Sequence, residues 1–557
     1  MTGRLFREFS IVVSGSVIIS SFAALTFTPM LATKLLIKRE KQSWFYRKTE
    51  PFFEGMNNLY SRSLAAFLRK RWIALPFTAA TILIIGFLWN HIPAEMAPLE
   101  DRSQISINTR GAEGVTYEYI RDYTEDINQL VDSIAPDAEA VTARVSSGSG
   151  NVRITLKDMR DRDYTQMEVA EKLSKAVQKK TMARSFVQQS SSFGGRRGGM
   201  PVQYVLQATN IEKLQEVLPK FMAKVYENPV FQMADVDLKF SKPEARININ
   251  RDKASIMGVS TRNIAQTLQY GLSGQRMGYF YMNGKQYEIL GEINRQQRNK
   301  PADLKGIYIR SDKGDMVQLD NLIELTNGIA PPKLYRYNRF VSATISAGLA
   351  DGKTIGQGLD EMDKIAKETL DDTFRTALTG DSKEYRESSS SLMFAFILAI
   401  LLIYLILAAQ FESFKDPLII MLTVPLAIAG ALVFMYFGGI TMNIFSQIGI
   451  IMLIGLMAKN GILIVEFANQ KQETGEDKMQ AIKDAALQRL RPILMTSAST
   501  VLGLIPLAFA TGEGCNQRIA MGTAVVGGML VSTLLTMYIV PAIYSYVSTN
   551  RSKLKNE

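Results

Sequence analysis

Cysteine and histidine are almost missing from this 557-residue chain: Cys515 and His91 are the only ones. A single cysteine excludes an intramolecular disulfide framework, and together the two are too few for a His/Cys zinc site, so no metal centre is expected. There is also no Gly-x-x-x-x-Gly-Lys-Ser/Thr loop, so no nucleotide site is expected; the glycine-rich stretch 194–199 lacks phosphate-loop spacing. No nucleophile–base constellation marks the chain as an enzyme. The net charge of +11 does not point to nucleic acid, because the basic residues cluster beside apolar spans, as the positive-inside rule requires. An apolar run at 9–36 has no small-residue cleavage site and is too long for a signal peptide.

What is present is membrane-length hydrophobicity. Seven charge-poor runs are long enough to cross a bilayer as helices: 9–32, 72–89, 392–409, 418–437, 444–468, 492–510 and 520–547. The basic segment 34–71 between the first two belongs on the cytoplasmic side. Within it, 44–68 mixes Phe52, Phe53, Leu59, Tyr60, Leu64 and Phe67 with charges, the pattern of an amphipathic helix lying on membrane lipid. Alternation then places 91–387 outside the cytoplasm and returns the basic segment 469–491 and the tail residues Arg551, Lys553 and Lys555 to it.

The outer block reads as mixed α and β structure. Residues 103–110 alternate like a half-buried strand, 116–134 have helical spacing, and 141–145, 151–157, 165–179 and 184–189 follow as strand, strand, helix and strand. That β-α-β-β-α-β order is the ferredoxin-like split unit. Residues 190–199 read as a flexible joint. A second unit starts with strand 202–208 and helix 211–228 and resumes at 334–347 and 355–370. An inserted module lies between, with helix 261–272 and a hairpin turning at Asn283-Gly284.

Lys459 carries the sharpest functional signal. It lies deep in the run 444–467, with 15 residues before it and eight after. An ammonium there costs roughly 2.5–3.5 kcal/mol on insertion scales. Snorkelling is awkward at that depth, so an acidic partner or a proton path is expected. Arg489 opens the next span, Thr496 lies two turns deeper, and Ser499 and Thr500 follow on the same side of a helix. Asn460 adjoins the lysine, and Asn460, Ser499 and Thr500 are taken as supporting positions. Glu466 is about 10 Å along the same face, too far to pair.

The runs Gly455-Leu-Met-Ala-Lys-Asn-Gly-Ile-Leu-Ile-Val-Glu466 and Arg489-Leu-Arg-Pro-Ile-Leu-Met-Thr496 resemble the resistance–nodulation–division superfamily, in particular its acriflavine-resistance type of hydrophobe/amphiphile efflux pump. The resemblance covers essentially the whole chain. It implies a membrane α-helical bundle of seven transmembrane helices plus extracytoplasmic α+β ferredoxin-like porter subdomains with an inserted docking module. The divisions are 1–33, family helix six; 34–71, cytoplasmic loop; 72–90, helix seven; 91–198, first porter subdomain; 199–244 with 325–387, second porter subdomain; 245–324, docking insertion; 388–550, helices eight to twelve; and 551–557, cytoplasmic tail. By the same resemblance Lys459, Arg489 and Thr496 occupy proton-relay positions, and the lysine pairs with two aspartates of the fourth helix, which would lie in a missing N-terminal half. At 146–151 family drug pumps often have a longer, phenylalanine-bearing loop over the substrate pocket. Here it is short and polar, which leaves Ser146, Gly148 and Asn151 as candidate substrate contacts and weakens an aromatic grip.

The expected function is proton-driven export of amphiphilic small molecules across a bacterial inner membrane, without a cofactor beyond the proton gradient. The implied partners are two further copies in a homotrimer, a periplasmic adaptor and an outer-membrane channel. The alternatives are export of a metal, for which Met200, Met233, Met277 and Met282 are too scattered, and a half-pump acting as a binding or scaffold component.

Overall fold

A computed structural model describes residues 2–35, 44–189, 200–330, 333–350 and 352–549. The joint at 190–199 and the tail 551–557 lie outside the described residues, as do Lys38, Arg39 and Lys41. The chain opens with helix α1 (Thr2–Leu35) and α2 (Trp44–Arg69), then a short 3₁₀ turn leading into α3 (Ala74–His91). The membrane-length window of α1 has none of its residues buried, whereas α2 packs Tyr60, Leu64 and Leu68 into the helical core. Its other side exposes Trp44, Phe52 and Leu59, an apolar surface suited to the bilayer edge.

The first outer unit runs β1 (Gln104–Arg110), α4 (Tyr117–Ile134), β2 (Ala140–Ser146), β3 (Ser149–Thr155), α5 (Gln166–Gln178), β4 (Arg184–Gln189). Its strands form one antiparallel sheet ordered β2-β3-β1-β4. Ile105 and Ile107 of β1 and Val152 and Ile154 of β3 meet Tyr123, Ile127, Val131 and Leu173 from the two helices. Strand alternation and helical spacing thus point at one core. Thr116 and Thr165 cap the helices by accepting from Tyr119 N and Glu168 N, the hydroxyl placement that satisfies an orphan donor at a helix start.

The second unit begins with β5 (Val202–Ala208), α6 (Ile211–Glu227) and β6 (Phe231–Val236). The inserted module follows: β7 (Lys242–Ile249), α7 (Arg251–Ile256), α8 (Thr261–Leu272), β8 (Gln275–Met282), β9 (Lys285–Gly291), β10 (Tyr308–Arg310), β11 (Met316–Gln318) and β12 (Ile323–Ala330). Strands β7 and β12 pair along their whole length, from Lys242 with Ala330 to Ile249 with Ile323. The ribbon is therefore wider than the 245–324 expected for the insertion. Pro243 lies within β7, where the free edge of a two-stranded ribbon accepts a proline. At the β8–β9 turn Asn283 and Gly284 both have positive φ, 52° and 70°, as a tight hairpin turn demands. The second unit resumes with β13 (Tyr335–Tyr337), β14 (Phe340–Leu349), α9 (Ile355–Thr369) and β15 (Arg375–Leu378). Its sheet is ordered β13-β14-β5-β15, and β6 also pairs with β14. Taking β6, β14, β5 and β15 in space reproduces the strand order of the first unit.

The remaining helices are α10 (Gly380–Phe411), α11 (Lys415–Met421), α12 (Thr423–Phe437), α13 (Ile444–Glu473), α14 (Lys478–Ala508) and α15 (Cys515–Val547). Among the described residues, seven helices are long and apolar enough to cross a membrane, α11 and α12 together counting as one. The break between those two falls beside Pro425, which has no N–H for the Met421 carbonyl four residues back. Helix α10 starts well before the apolar run because its first turns dock on the second unit. Ser382 accepts from Gln203 N at 2.8 Å and donates to the Pro201 carbonyl at 3.1 Å, and Arg386 meets Asp363 at 2.8 Å. Close packing of α15 rests on small residues, as lipid-embedded helices require: a Cβ on Gly522 would lie 2.6 Å from Ala508 N.

Candidate functional site

The membrane helices bring the sequence-derived residues to two levels of one antiparallel pair, α13 and α14. At the deeper level the Asn460 amide donates to Ser497 Oγ at 3.3 Å, and Thr533 Oγ1 of α15 donates to the same oxygen at 3.1 Å. All three side chains are buried. Lys459 is one residue away, about 100° further round α13. It is exposed, with Gly455 one turn back, and a Cβ on Gly455 would meet nothing within 4 Å. Lys459 has no ion-pair or hydrogen-bond partner among the described residues.

At the other level Arg489 stacks its guanidinium carbon 4.5 Å from the centre of the Phe467 ring, with its Nε buried and unbonded among the described residues. Seven residues separate Asn460 from Phe467, so the two levels lie about 10 Å apart along the helix. Arg491 belongs elsewhere: it pairs with Glu50 of α2 at 3.0 Å and lies 5.2 Å from the Phe53 ring centre. Glu466 accepts from Gln470 at 3.0 Å.

The hydroxyls of α14 divide by direction. Thr496 donates to the Ile493 carbonyl at 3.2 Å, Thr500 to the Thr496 carbonyl at 2.9 Å, and Ser499 is exposed. The hydroxyl that reaches another helix is Ser497, which sequence reasoning passed over. A run of Thr-Ser-Ala-Ser-Thr places hydroxyls all around the helix, and only the roll of α14 decides which one faces inward. Sequence reasoning also passed over a second buried network, in which Gln472 Nε2 donates to Tyr544 Oη at 2.6 Å, Tyr544 donates to Asn469 Oδ1 at 2.6 Å, and Asn469 Nδ2 donates to Asp416 Oδ2 at 3.1 Å.

In the outer block the segment 146–151 is a two-residue turn between β2 and β3, with Gly148 at φ 79° and its carbonyl accepting from Gly111 N at 3.0 Å. Ser146 pairs with Ser149 across it. Asn151 lies inside β3 and donates to Asn108 Oδ1 at 2.8 Å, and Asn108 donates to Gln188 Oε1 at 3.0 Å. Its amide is part of a ladder across three strands, so Ser146 and Gly148 sit at a hairpin tip and Asn151 on a sheet face. The two units are tied by Asp235 of β6, whose nearly buried carboxylate lies 3.3 Å from Arg110, 3.4 Å from Arg184 and 3.0 Å from Lys239. Met200 and Met233 sit in the second unit, and Met277 and Met282 in β8 of the insertion. Among the described residues no group of three or more His, Cys, Asp and Glu is placed to hold a metal ion.

Two comparisons bear on this arrangement. The model of the AcrB/AcrD/AcrF family matches residues 1–548. An uncharacterized transporter of Haemophilus influenzae is 31% identical over 566 residues, an alignment covering 100% of this chain and 55% of the relative. The chain thus spans about half the length of that relative.

Proposed function

Because the chain belongs to the AcrB/AcrD/AcrF family of membrane transporters, we propose that it forms the C-terminal part of a proton-driven pump of the bacterial inner membrane that exports amphiphilic compounds. The observation that carries this reading is Lys459, an ammonium at the centre of the one uncovered face of a membrane helix, without a counter-ion among the described residues. Such a charge is expensive in hydrocarbon unless an acid or a wet path meets it. The uncovered face is where an acidic pair from the other half of the pump would dock. A lysine that exchanges partners as a carboxylate takes up a proton is the coupling element. Arg489, about two turns toward the cytoplasm, marks the mouth of the path, and Thr496 lies at the level of Lys459.

In this reading the two outer units are ferredoxin-like porter subdomains, the insertion is a docking module, and the assembly is a homotrimer working with a periplasmic adaptor and an outer-membrane channel. The short hairpin at 146–151 offers amide and hydroxyl contacts in place of an aromatic clamp. Co-expression with the remaining half in a pump-deficient host tests the proposal. Dye efflux should be restored and should vanish with Lys459→Ala; efflux unchanged by that substitution would reject the relay.

A further inference from the structure

Helix α13 must present Lys459 at one angle, and its apolar surface gives little to hold that angle. Its inward face is smooth, with Gly449, Ala458, Gly461 and Ala468 among the residues buried. Between helices in lipid there is no hydrophobic drive to select a roll; packing and polar contacts must do it. Two buried polar pins are available. One is Asn460, bonded to Ser497 of α14. The other is Asn469, nine residues further on, bonded to Asp416 of α11 and Tyr544 of α15. Nine residues are two and a half turns, so the pins lie on roughly opposite flanks of the buried face and about 13 Å apart along the axis. Lys459 points away from the middle of that face. Asp416 is 2% exposed, Asn469 3%, and Gln472 and Tyr544 0%.

We propose that the buried chain Gln472–Tyr544–Asn469–Asp416 is a positioning device that, with the Asn460 pin, sets the roll of α13 and so aims Lys459 out of the bundle. The proposal rests on the proton-pump reading for what Lys459 meets there. Each member of the chain has a defined part. Asp416 is the terminal acceptor, Asn469 joins acceptor and donor on α13 itself, and Tyr544 fixes the chain to α15. An amine about 8 Å from the helix axis moves about 3 Å for a 20° roll, enough to leave ion-pair range. Lys478 at the start of α14 lies within electrostatic reach of Asp416, of Lys415 on α11 and of Arg71 before α3, and Tyr544 reaches Asn469. The device acts through its hydrogen bonds, as a fixed anchor between α11, α13 and α15.

The test uses the full-length protein that carries this chain, in native membranes, with two readouts. The first is competitive acetylation of Lys459, read by mass spectrometry. The second is the pH profile of dye export. Asn469→Leu and Asp416→Leu should each raise Lys459 labelling severalfold and move the acid limb of the export profile by about one pH unit, with protein levels unchanged. Asp416→Asn keeps an acceptor for Asn469 and should restore both readouts to near the native values. Unchanged labelling in both leucine variants overturns the proposal. So does an Asp416→Asn protein that behaves like Asp416→Leu, because that outcome requires the charge and not the hydrogen bond. If Lys459→Met leaves export intact, the proton-pump reading itself fails, while the labelling still decides whether the network sets the roll.

Discussion

A cation held in hydrocarbon is tolerated only when its surroundings repay the lost hydration, and none of the described residues pairs or hydrogen-bonds with Lys459. Asn460, Ser497 and Thr533 form a polar seam on a flank of α13, about 100° round from the lysine, which faces outward. Ser497 is the acceptor for two buried donors. Ser497→Ala should therefore lower stability by about 1–2 kcal/mol, seen as an earlier thermal transition in detergent; Ser499→Ala, at an exposed position, should leave the transition where it is. Outside the membrane Glu95 gives a pH signature. Burial raises its pKa, offset in part by the hydrogen bond donated by Thr441. A carboxyl whose folded pKa is raised binds its proton more tightly in the folded state. Its contribution is thus most favourable below the unfolded value and is lost as pH rises through the folded one. Glu95→Gln, which keeps an acceptor for Thr441, should raise stability at neutral pH and flatten that part of the stability–pH curve, as measured by melting at several pH values.

At the scale of the element, what could be read from sequence was whatever had a clean period. Strand 184–189 and helix 261–272 have their expected limits, and the helix starts at Thr116 and Thr165 are hydroxyl caps in the structure. Strands β6 and β15 were not foreseen. The first carries Gln232 and Asp235 among its apolar residues and the second is only Arg-Thr-Ala-Leu; neither alternates strongly enough to register without its partners. The inward hydroxyl Ser497 and the pins Asn469 and Tyr544 were missed for a related reason: periodicity gives the spacing of a helix but not its roll among unknown neighbours. Close packing is testable at this scale. Gly522→Ala would place a methyl 2.6 Å from backbone that cannot yield and should cost about 1–3 kcal/mol. Gly503→Ala, which meets nothing within 4 Å, should be neutral or slightly stabilising. Melting of the two variants compares them directly.

Across the whole molecule, the ties between the outer block and the membrane helices include the continuous α10, the Glu95–Thr441 contact, and Glu100, a buried carboxylate accepting from Gln517 N at 3.0 Å near the start of α15. Within the outer block the insertion touches the first unit through Arg295, which holds Glu118 of α4 by two bonds of 2.5 and 2.8 Å. That guanidinium pulls the exposed Glu118 carboxyl down to about 2. A depressed carboxylate contributes above its unfolded value and loses its contribution as pH falls through the folded one. Hydrogen exchange around 295–298 should therefore quicken between about pH 4.5 and pH 2, and added salt should produce part of the same loosening at neutral pH because the pair is exposed to screening. The decisive measurement is proton flux in proteoliposomes of the full-length protein during substrate export, native against Lys459→Met. The account predicts substrate-dependent proton movement in the native protein and its loss together with export in the variant; continued coupled movement in Lys459→Met would contradict it.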